Sequence, residues 1–385
     1  MIMPFDFDNP KNRRNTDSLK WDVGEKELPL WVADMDFETA PVVKEEILKV
    51  AERGIFGYSN LPDEYFESIS GFFDRRFGYK PNPADMVYSN GIVAAISSMV
   101  RKLTTPAENV LIQSPVYNVF YNSILNNGRN IISSDLVYEG GEYKIDFSDL
   151  EEKLSNPQTT LMILCNPHNP VGKIWTREEL SKIGELCKKH SVTVISDEIH
   201  CAFTVPGKKY IPFASVSDTC AEISATCVSN SKSFNLAGLQ SAAVIVKNPT
   251  LRHKIWRGLN TDEVGEPNVF AVRANIAAYN FGDEWLDAVV EYIFENKRFA
   301  CDYINDNIPE LRADFSEATY LLWVDISGCN MDSRDFAKEL REKTGLYISN
   351  GAAYGRSGEK FIRINLATSR EILTRALTML RDYVS

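Results

Sequence analysis

The sequence predicts an α/β protein, with a mostly parallel sheet covered by helices on both faces and a second, smaller α/β layer after it. Three observations carry that expectation. Short apolar, β-branched runs alternate with amphipathic helical stretches, as parallel strands with crossover helices require. Polar residues with chemical capacity, namely Asn166, Asp197, Lys232 and the Gly91 turn, stand just after those runs, where such a sheet gathers its ligands. The 385 residues are 44% hydrophobic and 25% charged, enough for one large domain and a smaller one. The expected division is an arm over residues 1–40 that forms part of the small domain, a large domain over 41–275 and the small C-terminal domain over 276–385.

Residues 1–30 are polar and irregular, with a basic cluster at Lys11, Arg13 and Arg14. They read as an arm over the body or over a partner subunit, or equally as a frayed terminus. The apolar segment Leu30 to Phe37 carries two acids, and a helix follows from Pro41, a residue suited to a first helical turn, to about Arg53. Gly57-Tyr58-Ser59 links it to a second helix near residues 64–77. A strand at Met86 to Tyr88, then Ser89-Asn90-Gly91, then a helical run over 92–103 forms an anion seat, because free N–H groups and the helix dipole meet there. Strands are expected at 109–113, 161–165, 193–196, 224–228 and 242–246, with helices near 117–126 and 177–190. One long helical stretch over 272–305 leads to strand 319–326, helix 334–344, strand 361–366 and helix 370–383. There is no internal repeat.

A formal net charge of −11 argues against nucleic acid or an anionic membrane as partner, and an anionic substrate would need locally placed arginines. Met1 to Pro10 has no basic region followed by an apolar one, and no apolar run is long enough to span a bilayer. Seven irregularly spaced cysteines fit reduced thiols, and four scattered histidines without a Cys-x-x-Cys pair give no metal motif. The expectation is a soluble cytoplasmic protein.

Lys232 lies in Ser229-Asn230-Ser231-Lys232-Ser233, read as a loop between two buried strands, where an ammonium is costly unless it has chemistry to do. A lysine there can lose its proton and attack an aldehyde, although a lone loop lysine is more often simply solvated. Asn166-Pro167-His168-Asn169-Pro170-Val171-Gly172 ends a strand with two Asn-Pro steps, which mark a rigid turn. Asp197 follows an apolar run, so its carboxylate needs a partner such as a protonated ring nitrogen, or caps the next turn.

Together these motifs resemble the fold-type I pyridoxal-phosphate enzymes, and the order Gly91, Asn169, Asp197, Lys232, Arg363 matches across nearly the whole chain. Trp31-Val32-Ala33-Asp34-Met35-Asp36-Phe37, Asn90-Gly91-Ile92-Val93 and Ser196-Asp197-Glu198-Ile199-His200 narrow the resemblance to the MalY/PatB group of cystathionine β-lyase-like C–S lyases. The resemblance implies a seven-stranded sheet and pyridoxal 5'-phosphate held by Lys232, which also moves the Cα proton. It implies Asp197 on the pyridine nitrogen, Asn169 on the phenolic oxygen and Tyr117 on the ring face. The phosphate would rest on Ile92 and Val93 after Gly91 and on the Ser229 hydroxyl. Tyr58 would arrive from the other subunit of a homodimer with shared sites. Arg363 would hold the substrate carboxylate, with Ala33 and Asn169 beside it.

The implied activity is elimination of a thiol from L-cystathionine, a related L-cysteine S-conjugate or L-cysteine. The alternatives are an aminotransferase and a regulatory protein that keeps the fold. Two departures from the aminotransferase pattern stand out: His200 where many have tyrosine, and Gln240 where many have a phosphate-binding arginine. His200 reads either as a cofactor contact or as a core histidine.

Overall fold

The computed structural model describes residues 5–384, so the first four residues of the expected arm lie outside it. Seven strands form the main sheet: β1 (Met86–Ser89), β2 (Asn109–Ile112), β3 (Asn130–Ser133), β4 (Thr159–Cys165), β5 (Thr193–Asp197), β6 (Ser224–Val228) and β7 (Ala242–Ile245). Their order is β1-β7-β6-β5-β4-β2-β3. Strands β2 to β6 are parallel, and β7 runs against both of its neighbours, β6 and β1.

The central strands are buried at nearly every position because both faces are covered. Leu111, Met162, Leu164 and Val194 pack on one side with Leu180 and Ile183 of the helix Arg177–Lys189. Val110, Ile163, Ile195 and Ala225 pack on the other with Ile96 and Met99 of the helix Ile92–Leu103. In register, Cys165 stands beside Asp197 and Asp197 beside Cys227, so the carboxyl ends of β4, β5 and β6 finish at one level.

The smaller layer is an antiparallel sheet of β8 (Arg312–Ala313), β9 (Leu321–Asp325), β10 (Ser349–Asn350) and β11 (Phe361–Asn365), ordered β8-β9-β11-β10. Leu322, Val324, Ile362 and Ile364 pack beneath Leu340, Leu373 and Leu377, and Leu28 and Leu30 from the arm join that core. The arm lies on its own body. Phe7 is buried with its ring 5.0 Å from Phe37 and 5.4 Å from Tyr292. Arg13 meets Asp34 at 2.7 Å, and the fully buried Lys20 meets Asp36 at 2.9 Å.

Two expectations are corrected. The single helix over 272–305 is two, Val269–Phe281 and Asp283–Asn307, separated at Gly282. A Cβ at that position would lie 2.3 Å from the Phe234 ring, so the close approach needs glycine and the chain turns there. The second correction concerns Lys232, which sits in a short helical turn, Asn230–Ser233, where an open loop was expected. Ser229 caps that turn by accepting a hydrogen bond from the Ser231 N–H at 3.1 Å.

Candidate active site

The strand ends surround a cavity of about 570 Å³, and ten of the twelve expected site residues line it. Its anion seat begins at Gly91, whose φ of 151° and ψ of 153° belong to a region essentially closed to residues with a Cβ. The first backbone N–H of the following helix to bond back is that of Ala95, to the Gly91 carbonyl at 3.0 Å. The N–H groups of Ile92, Val93 and Ala94 therefore precede the helical ladder, and all three residues line the cavity. Ser229 lines it too, but its hydroxyl proton goes to the Ser241 carbonyl at 2.7 Å. This departs from the expected role as an anion donor: the hydroxyl is engaged in joining the end of β6 to the start of β7.

Asp197 ends β5, buried, with one carboxylate oxygen accepting the Ile199 N–H at 3.2 Å. Among the described residues no cation stands within ion-pair distance, and burial pushes its carboxyl up to about 7. It is a carboxylate prepared for a cationic ligand group. Glu198 turns the other way, accepting from Ser196 at 2.8 Å, Tyr210 at 2.9 Å and the Phe213 N–H at 2.9 Å, and so pins the turn that follows Asp197. His200 lines the cavity with its Nδ1 bonded to nothing among the described residues. Burial, aided by the charge on Lys232, holds its pKa down at about 3, so the ring is neutral.

The Lys232 amine donates to the Ala33 carbonyl at 2.6 Å. Burial lowers its pKa to about 8, against the opposing pull of the Asp34 carboxylate. An amine in that range is available as a nucleophile and as a proton carrier near neutral pH. Tyr117 lines the cavity, and burial raises its phenol to about 12. Asn169 is held by its backbone N–H on the Cys165 sulfur at 3.4 Å.

Arg363, on β11, reaches the same place from the smaller layer. It is 5% exposed, and donates to the Trp31 carbonyl at 2.9 Å and the Asn169 side-chain oxygen at 3.4 Å. The Tyr354 ring lies 4.9 Å beneath its guanidinium, while the Arg363 Nε has no partner among the described residues. Tyr58 is apart from this cluster, fully exposed. Tyr354 beneath Arg363 and the Trp31 carbonyl beside it were not among the expected site residues. Trp31 acts through its carbonyl, a group with no sequence signature.

These residues fit pyridoxal phosphate. The helix N-terminus suits a phosphate, the Asp197 carboxylate without a cation suits a protonated pyridine nitrogen, the bare His200 Nδ1 suits a ring substituent, and the Lys232 amine suits an aldehyde.

Comparison with known proteins agrees with this geometry. Residues 25–380 match the aminotransferase class I and II family. The chain is 40% identical over 385 residues to cystathionine β-lyase PatB of Bacillus subtilis, covering 98% of this chain and 100% of that protein. It is 33% identical to the protein MalY of Escherichia coli, with 97% of each covered. Cystalysin from Treponema denticola, solved with a pyridoxal 5'-phosphate cofactor, superposes with a TM-score of 0.95 at 32% identity, covering 99% of this chain and 98% of that one. A pyridoxal-phosphate-bound C–S lyase from Staphylococcus hominis, complexed with L-cycloserine, gives 0.94 at 32% identity, covering 100% and 99%.

Proposed function

The chain belongs to the class I and II aminotransferase family, and from that premise we propose that it is a pyridoxal-phosphate-dependent C–S β-lyase. Its substrates are L-cystathionine or related L-cysteine S-conjugates, with L-cysteine as a further candidate, and its products are a thiol (hydrogen sulfide from L-cysteine), pyruvate and ammonia. Bound in this cavity, the cofactor supplies an aldehyde for the substrate amino group and a ring that accepts the electrons left when the Cα proton departs.

The chain's own residues do the rest. The N–H groups of Ile92 and Val93 hold the phosphate and fix the ring's place. Asp197 keeps the proton on the ring nitrogen, and that positive charge relieves its own buried carboxylate. Tyr117 covers one ring face and excludes water. Asn169 and His200 face the ring edge. Arg363 takes the substrate α-carboxylate in a two-pronged pair, in place of its present bonds to Trp31 and Asn169. The Lys232 amine removes the Cα proton, the β-thiolate leaves and takes up a proton, and water hydrolyses the released enamine to pyruvate and ammonia.

The observation that carries this reading is the amine of Lys232, its pKa lowered to about 8, in one cavity with a buried Asp197 that lacks a cation. Elimination is favoured over amino transfer by full-length kinship to proteins named as cystathionine β-lyase and C–S lyase. The same reading makes the protein a homodimer in which Tyr58, exposed in its own chain, reaches the phosphate of the neighbouring copy. Seven free cysteines support a reducing, cytoplasmic setting. No described helix is long and apolar enough to cross a membrane. We place the domain division at residue 276, although Trp285 to Phe294 still pack with the larger body and the chain joins the core of the smaller layer from Ala300 onward.

The test is pyruvate release from L-cystathionine by the cofactor-loaded protein with no 2-oxo acid present, and Lys232→Ala as control. Catalytic pyruvate with an equivalent of thiol, absent from the control, is the expected result. Amino transfer on adding a 2-oxo acid, without any pyruvate before it, would replace the lyase reading with an aminotransferase.

A further inference from the structure

The segment from Trp31 to Phe37 crosses the site as a strap whose carbonyls are held by side chains from several parts of the molecule. Arg363 holds that of Trp31, the Asn365 amide holds those of Val32 and Asp34 at 2.6 Å each, and the Asn235 amide holds those of Met35 and Phe37. Several of these carbonyls take a second donor, the Ser349 hydroxyl on Trp31 and the Arg13 guanidinium on Met35, and at Ala33 the two donors are the Lys232 amine at 2.6 Å and the Tyr320 hydroxyl at 2.9 Å.

Tyr320 is fully buried at the entrance to β9. Its ring is wedged edge-on between Phe203 at 4.8 Å and His200 at 5.7 Å. The residue before it, Thr319, has a φ of 64°, a conformation that a β-branched residue rarely adopts. It is kept there by the buried Lys297, whose amine donates to the Ala318 and Thr319 carbonyls at 2.8 and 2.7 Å, and by its own N–H on the Phe203 carbonyl at 2.8 Å. So much restraint on one phenol leaves its hydroxyl a single orientation, toward Ala33. No chemistry assigned so far uses that hydroxyl.

We propose that Tyr320 is a positioning residue for the proton carried by Lys232: its hydroxyl fixes the Ala33 carbonyl as the dock for the lysine amine while that amine is free. This rests on the reading of Lys232 as the group that moves the Cα proton. Two donors on one carbonyl compete, so the phenol also limits how firmly the dock holds a lysine ammonium. Without it the ammonium is held more firmly but less accurately, and it releases and regains its proton less readily. The other charged or titratable groups that face Lys232 are Asp34 on the strap, Asp197 at the end of β5, His200 just after it, and Arg363 on β11, and Tyr320→Phe leaves each of them in place.

The test uses L-alanine, which has a Cα proton and no leaving group, so that proton movement is read apart from elimination. Loss of the Cα proton signal in D2O is followed by NMR for the full-length, cofactor-loaded wild type and Tyr320→Phe across a pH range. Thermal midpoint and cofactor absorbance are measured alongside. The expected result is exchange slowed about five- to tenfold, the effect of one hydrogen bond, with its acid limb moved to higher pH. Midpoint and absorbance should stay as in the wild type. Exchange with an unchanged rate and acid limb in Tyr320→Phe would overturn the proposal alone. Loss of cofactor absorbance in the variant would also overturn it, because Tyr320 would then serve the fold. A wild type that does not exchange L-alanine at all would overturn both the proposal and the reading of Lys232 beneath it.

Discussion

Replacing Arg363 with lysine tests the substrate end of the site most directly. The arginine is buried and immobilised, with Tyr354 beneath its plane and its NH1 and NH2 groups on Asn169 and Trp31. Its flat fork can present two parallel N–H groups to a carboxylate, whereas lysine offers one point charge on a flexible stem. Arg363→Lys therefore keeps the charge and removes one charge-assisted hydrogen bond, a loss of about 1.5–3 kcal/mol. At 1.4 kcal/mol per factor of ten, that is roughly a 10- to 150-fold fall in kcat/KM. Because the carboxylate is gripped before and during the reaction alike, the fall should reside mainly in KM. The assay is initial-rate pyruvate release over a range of L-cystathionine concentrations. A kcat/KM that stays near the wild-type value, or a fall carried entirely by kcat, would refute the assignment.

Two further outcomes follow from the ends of the site. Asp197→Asn, nearly isosteric, should keep the fold and bind the cofactor, yet lose at least about a hundredfold in pyruvate release, because a neutral amide does not hold a proton on the ring nitrogen. An absorbance titration and the same rate assay check both halves. The amine of Lys232 attacks an aldehyde only when unprotonated, and its pKa is lowered to about 8 chiefly by burial. The rate at which cofactor-free protein captures pyridoxal phosphate, followed by absorbance, should rise with pH to about 8 and level off above it; a rise continuing toward the ordinary lysine range would contradict the burial argument.

Most of the main sheet was legible because its strands are buried on both faces and so read as short, largely apolar and β-branched runs. Strand β3 escaped notice since Asn130–Ser133 is a half-exposed edge with polar residues at both ends. The break at Gly282 was hidden for a different reason: the helical pattern continues across it, and the Phe234 ring that a side chain there would meet is distant in sequence. At the site, side chains that carry charge or a distinctive turn could be named in advance, and Gly91, Asn169, Asp197, His200 and Lys232 do meet around one cavity. What could not be read was the supporting backbone. The carbonyls of Trp31 and Ala33, which receive Arg363 and Lys232, belong to any residue type, and Tyr320 resembles any other aromatic at the start of a strand.

The reversed direction of β7 governs how Lys232 can move. Because β7 runs back along β6, residues 229 and 241 meet at the same rim, joined by the Ser229 hydroxyl, and Lys232 rides on a closed excursion clamped at both feet. Such an excursion has no hinge, so it cannot swing as a lid does. Any tightening around a substrate must come from the opposite wall, where the strap and Arg363 approach a lysine that stays still. Lengthening the excursion by one residue would leave the paired strands intact and carry the amine out of reach of Ala33, so its span acts as a ruler for the distance between the lysine and the strap.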